Sequence, residues 1–200
     1  MSDNKVIFFD FDGVIADSLS IAFEVARMSR PHLTLDKYRA YFDGNIHEVN
    51  HEDGAVRKVD FIEEYGKRFE DLGIEEQKTH VIRKLSESFR LFIISSTTGG
   101  IIRSYLQQHG ILSCFTDILG NEVHQSKVEK FQMLFQKYNI DPNEVIFITD
   151  TTGDIKEAKK AGVQTIVGIA GGFQENLERE NPSIIVRDFA QFYDFVQKQI

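Results

Sequence analysis

Asp10 and Asp12 stand two positions apart directly after four apolar residues, Val6-Ile7-Phe8-Phe9, and Gly13 follows them. A second acidic pair, Asp150 and Asp154, follows the run Val145-Ile146-Phe147-Ile148-Thr149. Between the pairs come Ser95-Ser96-Thr97, after Leu91-Phe92-Ile93-Ile94, and Lys127, ahead of an apolar-periodic segment. Carboxylates clustered with few or no histidines suit a hard, oxygen-seeking cation such as Mg²⁺. Hydroxyls and free amides before a helix suit phosphate oxygens, and a lysine supplies positive charge. Together these groups form the set that phosphoryl transfer requires: an anionic nucleophile, charge neutralisation and in-line positioning.

The elements that must position them follow from the pattern around each. A short apolar run bounded by turn signals reads as a strand buried on both faces. In a parallel α/β sheet, such strands deliver side chains to the crevice at their carboxyl ends. After the first strand, Asp17-Ser18 is placed to cap a helix carrying Ile21, Val25 and Met28, which ends before Pro31. Thr34 opens a short helix through Tyr41, Asp43-Gly44-Asn45 is a turn, and Val59 to Leu72 reads as a long amphipathic helix ending at Gly73. Residues 17–78 are therefore expected to form a helical insertion, a cap over a core made of residues 1–16 and 79–200. From Thr79 the chain alternates helix and strand, with strands at 91–94, 145–150 and 165–169, short segments near Ile118-Leu119 and Ser183 to Val186, and a closing helix from Phe189 to Val196. That alternation implies an α/β fold: a Rossmann-like, doubly wound parallel sheet with an inserted α-helical cap domain.

Composition sets the outer bounds. Hydrophobic residues at 42% with 17 Phe among 200 residues supply a sizeable core for one domain carrying an insertion. The net charge of -8 argues against nucleic acid or an anionic membrane surface as the main partner. It leaves small phosphorylated substrates open, because a metal and a few basic residues reverse the local field. The single cysteine, Cys114, excludes an intramolecular disulfide and a multi-cysteine zinc site. With a polar N-terminus, Met1 to Lys5, and no apolar run of membrane-spanning length, a cytoplasmic location is expected.

In order and spacing the motifs resemble those of the haloacid dehalogenase-like hydrolase superfamily, in its phosphatase branch. Asp10-Phe11-Asp12-Gly13-Val14 matches its first motif, Phe92-Ile93-Ile94-Ser95 its second, Lys127 its third, and Asp150-Thr151-Thr152-Gly153-Asp154 its fourth. Ala158 to Val163, Gly168 and Gly171-Gly172 are similar to phosphoglycolate-phosphatase-type members. The resemblance covers the core; the cap matches in size, position and helical character. It implies that Asp10 is the nucleophile and forms an aspartyl-phosphate, and that Asp12 protonates the leaving group and then activates water. It further implies Mg²⁺ on the Asp10 carboxylate, the Asp12 carbonyl and Asp150, with Asp154 as ligand or support. Ser95, with Ser96 or Thr97 as neighbouring candidates, binds the phosphoryl group, and Lys127 offsets its charge and that of Asp10.

Other readings exist for each part. The Asp10 to Gly13 stretch taken alone is an ordinary Asp-Gly turn. Ser95 terminates a strand, Lys127 is one of many lysines, and Asp154 suits the first turn of a helix. His32, His47, His51 and His80 read as polar cap residues, of which His47 follows the Asp43-Gly44-Asn45 turn and is the one placed to face substrate. Thr149 stands where the family usually has glycine. Asp12 disfavours a dehalogenase, and the histidine-free stretch Ser18 to Phe23 disfavours a sugar-phosphate mutase. The expectation is a Mg²⁺-dependent phosphatase for a small phosphorylated metabolite, monomer or homodimer, with a mutase or a non-catalytic regulator on this fold as the alternatives.

Overall fold

The computed structural model describes residues 5–49 and 55–199. His51 lies outside the described residues, as do Met1 to Asn4. Among the described residues, one sheet holds six strands: β1 (Val6–Phe9), β2 (Arg90–Ile94), β3 (Phe115–Leu119), β4 (Val145–Thr149), β5 (Thr165–Ile169) and β6 (Ile184–Val186). Their order is β3-β2-β1-β4-β5-β6, and every pair is parallel.

The apolar runs are continuous because both faces of the sheet are covered. Alternate residues divide between two cores: Ile7, Phe9, Ile93 and Ile148 face one, and Val6, Phe8, Phe92 and Phe147 the other. Helices α5 (Gly99–Gln108), α6 (Lys127–Tyr138), α7 (Thr152–Ala161) and α8 (Phe189–Gln197) connect or follow the later strands. α6 buries Phe131, Leu134 and Phe135, and the Phe131 ring meets Phe147 edge-on at 5.1 Å and stacks on Phe8 at 5.6 Å. α7 ends at Gly162, whose φ of 96° suits a residue without a Cβ.

The stretch between β1 and β2 is helical: α1 (Leu19–Ser29), α2 (Leu35–Ala40), α3 (Phe61–Phe69) and α4 (Glu76–Ser86). α1 packs on α3, whereas α4 packs on β2 and α8. Three local expectations change. α3 is shorter than the span 59–72, because Asp60 caps it by accepting from the Glu63 amide at 3.0 Å. Ser18 does not cap α1; its hydroxyl donates instead to Asp12 Oδ1 at 2.8 Å. The segment near Ile118-Leu119 is a full edge strand, β3, with half-buried residues at its start and a register irregularity against β2.

The topology fixes where chemistry collects. β1 lies at the centre, with β2 on one side and β4 on the other, so chain direction across the sheet reverses beside it. Phe9 is level with Ile93 and Ile148, and the Asp10 amide donates to the Ile148 carbonyl at 2.9 Å. Asp10, Ser95 and Asp150 each follow the last residue of β1, β2 and β4 and so share one edge.

Candidate active site

Lys127 opens α6 and is buried, with Nζ 2.8 Å from Asp10 Oδ1 and 2.6 Å from Asp154 Oδ2. Its helix start is held from outside: Ser126 makes no side-chain cap, and Glu157 of α7 accepts from the Lys127 amide at 2.9 Å. Asp154 sits in the first turn of α7, below Thr151, which caps that helix by accepting from the Asp154 amide at 3.3 Å. Thr149, at the position where glycine was the usual residue, donates its hydroxyl to Asp154 Oδ2 at 2.8 Å. Asp154 therefore has both a lysine and a hydroxyl on one oxygen.

Asp150 is enclosed by backbone. Its Oδ2 accepts from the Phe173 amide at 2.5 Å, and a Cβ on Gly13 or Gly172 would lie 1.9 or 2.2 Å from that oxygen. Gly13 has φ +72°, so two constraints at once demand glycine there. Asp150 Oδ1 is buried and has no hydrogen-bond partner.

Asp12 has different company. Ser18 Oγ and Thr97 Oγ1 donate to its two oxygens at 2.8 and 2.7 Å, and the Tyr65 hydroxyl donates from α3 to Oδ1. Ser95 Oγ lies 3.5 Å from Oδ2 and accepts from the Thr97 amide at 2.9 Å. Ser95 is fully buried, while Ser96 faces the space above the carboxylates. Beneath Ser95, the buried Lys130 donates Nζ to the Ser95 carbonyl at 2.5 Å.

The electrostatics follow from burial. Burial pushes the Asp10 carboxyl well above its usual range against the pull of Lys127, and the charges on Asp154 and Asp150 push the same way. Burial likewise pushes Asp150 up to about 7, opposed by the Phe173 amide. For Asp154 burial is outweighed by Lys127 and its hydrogen bonds, and it is held below the usual range. Three buried carboxyl groups thus face one lysine, a charge set that lacks about two positive charges when all three are ionised.

That deficit, and the unpartnered Asp150 oxygen beside it, fit a divalent cation. Among the described residues no three His, Cys, Asp or Glu side chains converge as an all-protein cage. Mg²⁺ does not need one: it takes one or two carboxylates and completes its shell with water and substrate phosphate. Asp10 and Asp150 are the pair that fits, with Asp154 committed to Lys127 and Thr149.

Two connected cavities lie above these groups. The narrower, about 40 Å³, is bordered by Asp10, Asp12, Ser96, Lys127 and Asp154. It has room for roughly three water-sized atoms, the scale of three phosphoryl oxygens. The larger, about 740 Å³, lies between cap and core and shares Asp12, Phe42, Ile46, Ser96 and Phe173 with it. His47 lines the larger one, while His32 and His80 are exposed on the surface.

The seam between cap and core is polar and close. Gln174 donates to Asp43 Oδ1 at 2.7 Å and accepts from the Thr152 amide at 2.6 Å, and Lys156 donates to the Asp43 carbonyl at 2.7 Å. A Cβ on Gly153 would meet the Gly44 carbonyl oxygen at 2.4 Å.

The structure thus brings together Asp10, Asp12, Ser95, Ser96, Lys127, Asp150 and Asp154. Sequence reasoning passed over Tyr65, Ser18, Lys130 and Glu157. Only Lys130 carried a local signal: it stands one helical turn after Lys127, on the face that continues into Phe131 and Leu134.

Comparison with known proteins agrees with this architecture. The model of the haloacid dehalogenase-like hydrolase family matches residues 7–168. A phosphoglycolate phosphatase of Vibrio vulnificus is 26% identical over 221 aligned positions, covering 96% of each chain. A solved structure from Haemophilus somnus, described as a predicted phosphoglycolate phosphatase, superposes with a TM-score of 0.79 at 20% identity, covering 98% of this chain and 99% of that one. A candidate β-phosphoglucomutase from Thermotoga maritima superposes with a TM-score of 0.71 at 18% identity, covering 98% and 100%. At these identities the two structures speak for the fold alone. The chain belongs to the haloacid dehalogenase-like hydrolases. Among the described residues, no helix is long and apolar enough to cross a membrane.

Proposed function

We propose that the chain is a Mg²⁺-dependent phosphatase that hydrolyses a small phosphorylated metabolite through attack by Asp10. The observation that carries this reading is the joint placement of Asp10 against Lys127 at 2.8 Å and of Asp12 at the junction of the two cavities. A phosphoryl group in the narrow cavity meets the Asp10 carboxylate at one end, and its ester oxygen points into the larger cavity where Asp12 stands.

In this mechanism the Asp10 carboxylate attacks phosphorus, the P–O ester bond breaks, and the alkoxide takes a proton from Asp12. Water then attacks the aspartyl-phosphate, giving its proton to Asp12 and releasing phosphate and free Asp10. Lys127 offsets charge on Asp10 and on the phosphoryl oxygens, and Asp154, itself bonded by the Thr149 hydroxyl, holds its ammonium in place. In place of the expected Ser95, whose hydroxyl is fully buried and accepts from the Thr97 amide at 2.9 Å, Ser96 and the backbone amides beyond β2 are the phosphate donors. A bound Mg²⁺, on Asp10 and Asp150, would supply further charge neutralisation at the phosphoryl group. Phe42, Ile46 and Phe173 border both cavities and keep water from the reacting atoms.

The test is a panel of phosphate monoesters assayed for free phosphate with Mg²⁺ and with chelator. The expected result is turnover of at least one member that chelator abolishes. Turnover untouched by chelator overturns the metal requirement, and isomerised ester in place of free phosphate as the main product favours a mutase.

A further inference from the structure

The larger cavity is much bigger than the reacting end requires. Its volume of about 740 Å³ falls in the range of roughly 300–1,000 Å³ that holds ligands of drug size. Among the described residues, the charged side chains lining it apart from Asp12 are basic: Arg30, Arg57 and Lys58, in a chain whose net charge is -8.

Arg30 is the unusual member. It ends α1 by position, is 8% exposed, and stacks its guanidinium over the Tyr41 ring at 5.4 Å while Nη1 donates to the Tyr41 hydroxyl at 3.1 Å. Its Nε is buried without a hydrogen-bond partner. Among the described residues no carboxylate pairs with it, whereas Arg39 and Arg68 each have one. A buried guanidinium without a counter-charge is unfavourable until an anion joins it. Guanidinium geometry suits a bidentate carboxylate or phosphate. Between Arg30 and Asp12 the wall is aromatic, formed by Tyr38, Phe42 and Phe173, with the Tyr38 ring 5.4 Å from Phe42 and 6.4 Å from Phe173. On the core side, the Asn121 side-chain oxygen is buried without a partner and can accept one hydrogen bond.

We infer that Arg30 is the anchor for a second anionic group on the substrate, which is a phosphate monoester with a body longer than two carbons and a carboxylate at its far end. The inference rests on the phosphatase reading for the reacting end and adds the chemistry of the remote end. The transferred phosphoryl group occupies the narrow cavity, the body lies along the aromatic wall, and the second anion meets Arg30.

The test compares ω-carboxyalkyl phosphates of two to six carbons with alkyl phosphates of the same lengths. In the parent protein with Mg²⁺, the carboxylated member is expected to win by tenfold or more in kcat/KM, through KM, at a length beyond two carbons. Arg30→Gln is expected to bring that ratio to within about twofold, and Arg30→Lys to keep part of it; thermal melting verifies that both are folded. A parent ratio near one at every length overturns the inference, as does a ratio that survives Arg30→Gln. Turnover without a carboxylate preference refutes the anchor alone. Absence of all turnover refutes the phosphatase reading, and calorimetric binding of the same series then decides the anchor separately. Tighter binding of the carboxylated members that Arg30→Gln removes sustains it, and equal binding overturns it.

Discussion

Replacing Thr149 by valine removes one hydroxyl and keeps the shape of the side chain. In the structure that hydroxyl is fully buried at the end of β4 and donates to Asp154 Oδ2 at 2.8 Å, the oxygen that also accepts from Lys127. A hydrogen bond to an ionised group is worth about 1.5–3 kcal/mol, and its loss here leaves a buried carboxylate with one donor fewer. The valine variant should therefore lose about 2 kcal/mol, which for a chain of this size lowers Tm by roughly 4–8 °C. Thr149→Ser should lose much less, because the donor remains. Urea unfolding with chelator present, followed by far-ultraviolet circular dichroism, measures the difference without a metal contribution. A valine variant within about 0.5 kcal/mol of the parent, at unchanged m-value, would refute the claim that threonine holds Asp154 where the family has glycine.

Three further outcomes follow from the geometry. Gly153→Ala places a Cβ 2.4 Å from the Gly44 carbonyl oxygen at the seam of cap and core, so kcat/KM should fall by at least about tenfold while the core remains folded; steady-state kinetics beside a melting curve checks it. For Lys130, burial and the charge on Lys127 push the ammonium down to about 8, so the folded state gives up its proton before the unfolded chain does. Its contribution to stability therefore rises between about pH 8 and pH 10, and Lys130→Met should abolish that rise in urea unfolding at pH 7.5 and 9.5. Asp150 shows the opposite sign: burial raises it from 3.8 to about 7, so the unfolded chain ionises first, stability falls between about pH 4 and pH 7, and the full cost stands above pH 7 when no cation is bound. Asp150→Asn in chelator at pH 8 should melt a few degrees above the parent, and should no longer be stabilised by added Mg²⁺; thermal scans with and without the ion read both effects.

The legible part of the site was the part written into single elements. Asp10, Ser95 and Asp150 each close a buried strand, and a run such as Val6 to Phe9 announces both the strand and its end. Lys127 and Asp154 sit in first helical turns, the second marked by the capping Thr151 and the first by a serine, Ser126, that does not cap. The company of Asp12 was not legible, because Tyr65 is 53 residues away and Ser18 read as a helix cap. Only the packing of α3 against α1 carries the tyrosine hydroxyl to the carboxylate. Glu157, 30 residues from Lys127, caps α6 from a neighbouring helix for the same reason. The larger cavity depends on the cap, whose short helices are placed by aromatic contacts such as Tyr38 with Phe42 and not by a repeating pattern. Arg30 had no reading of its own in the sequence, since one arginine in a polar stretch carries no sign that it will be buried.

The central claim is that Asp10 is the nucleophile, and Asp10→Asn tests it most directly. With Mg²⁺ and an ester that the parent hydrolyses, phosphate release should fall by at least about a thousandfold. The parent should also acquire a transient, base-labile phosphoryl group on acid quench that the variant lacks. Release at near the parent rate by a folded Asp10→Asn protein would contradict the account.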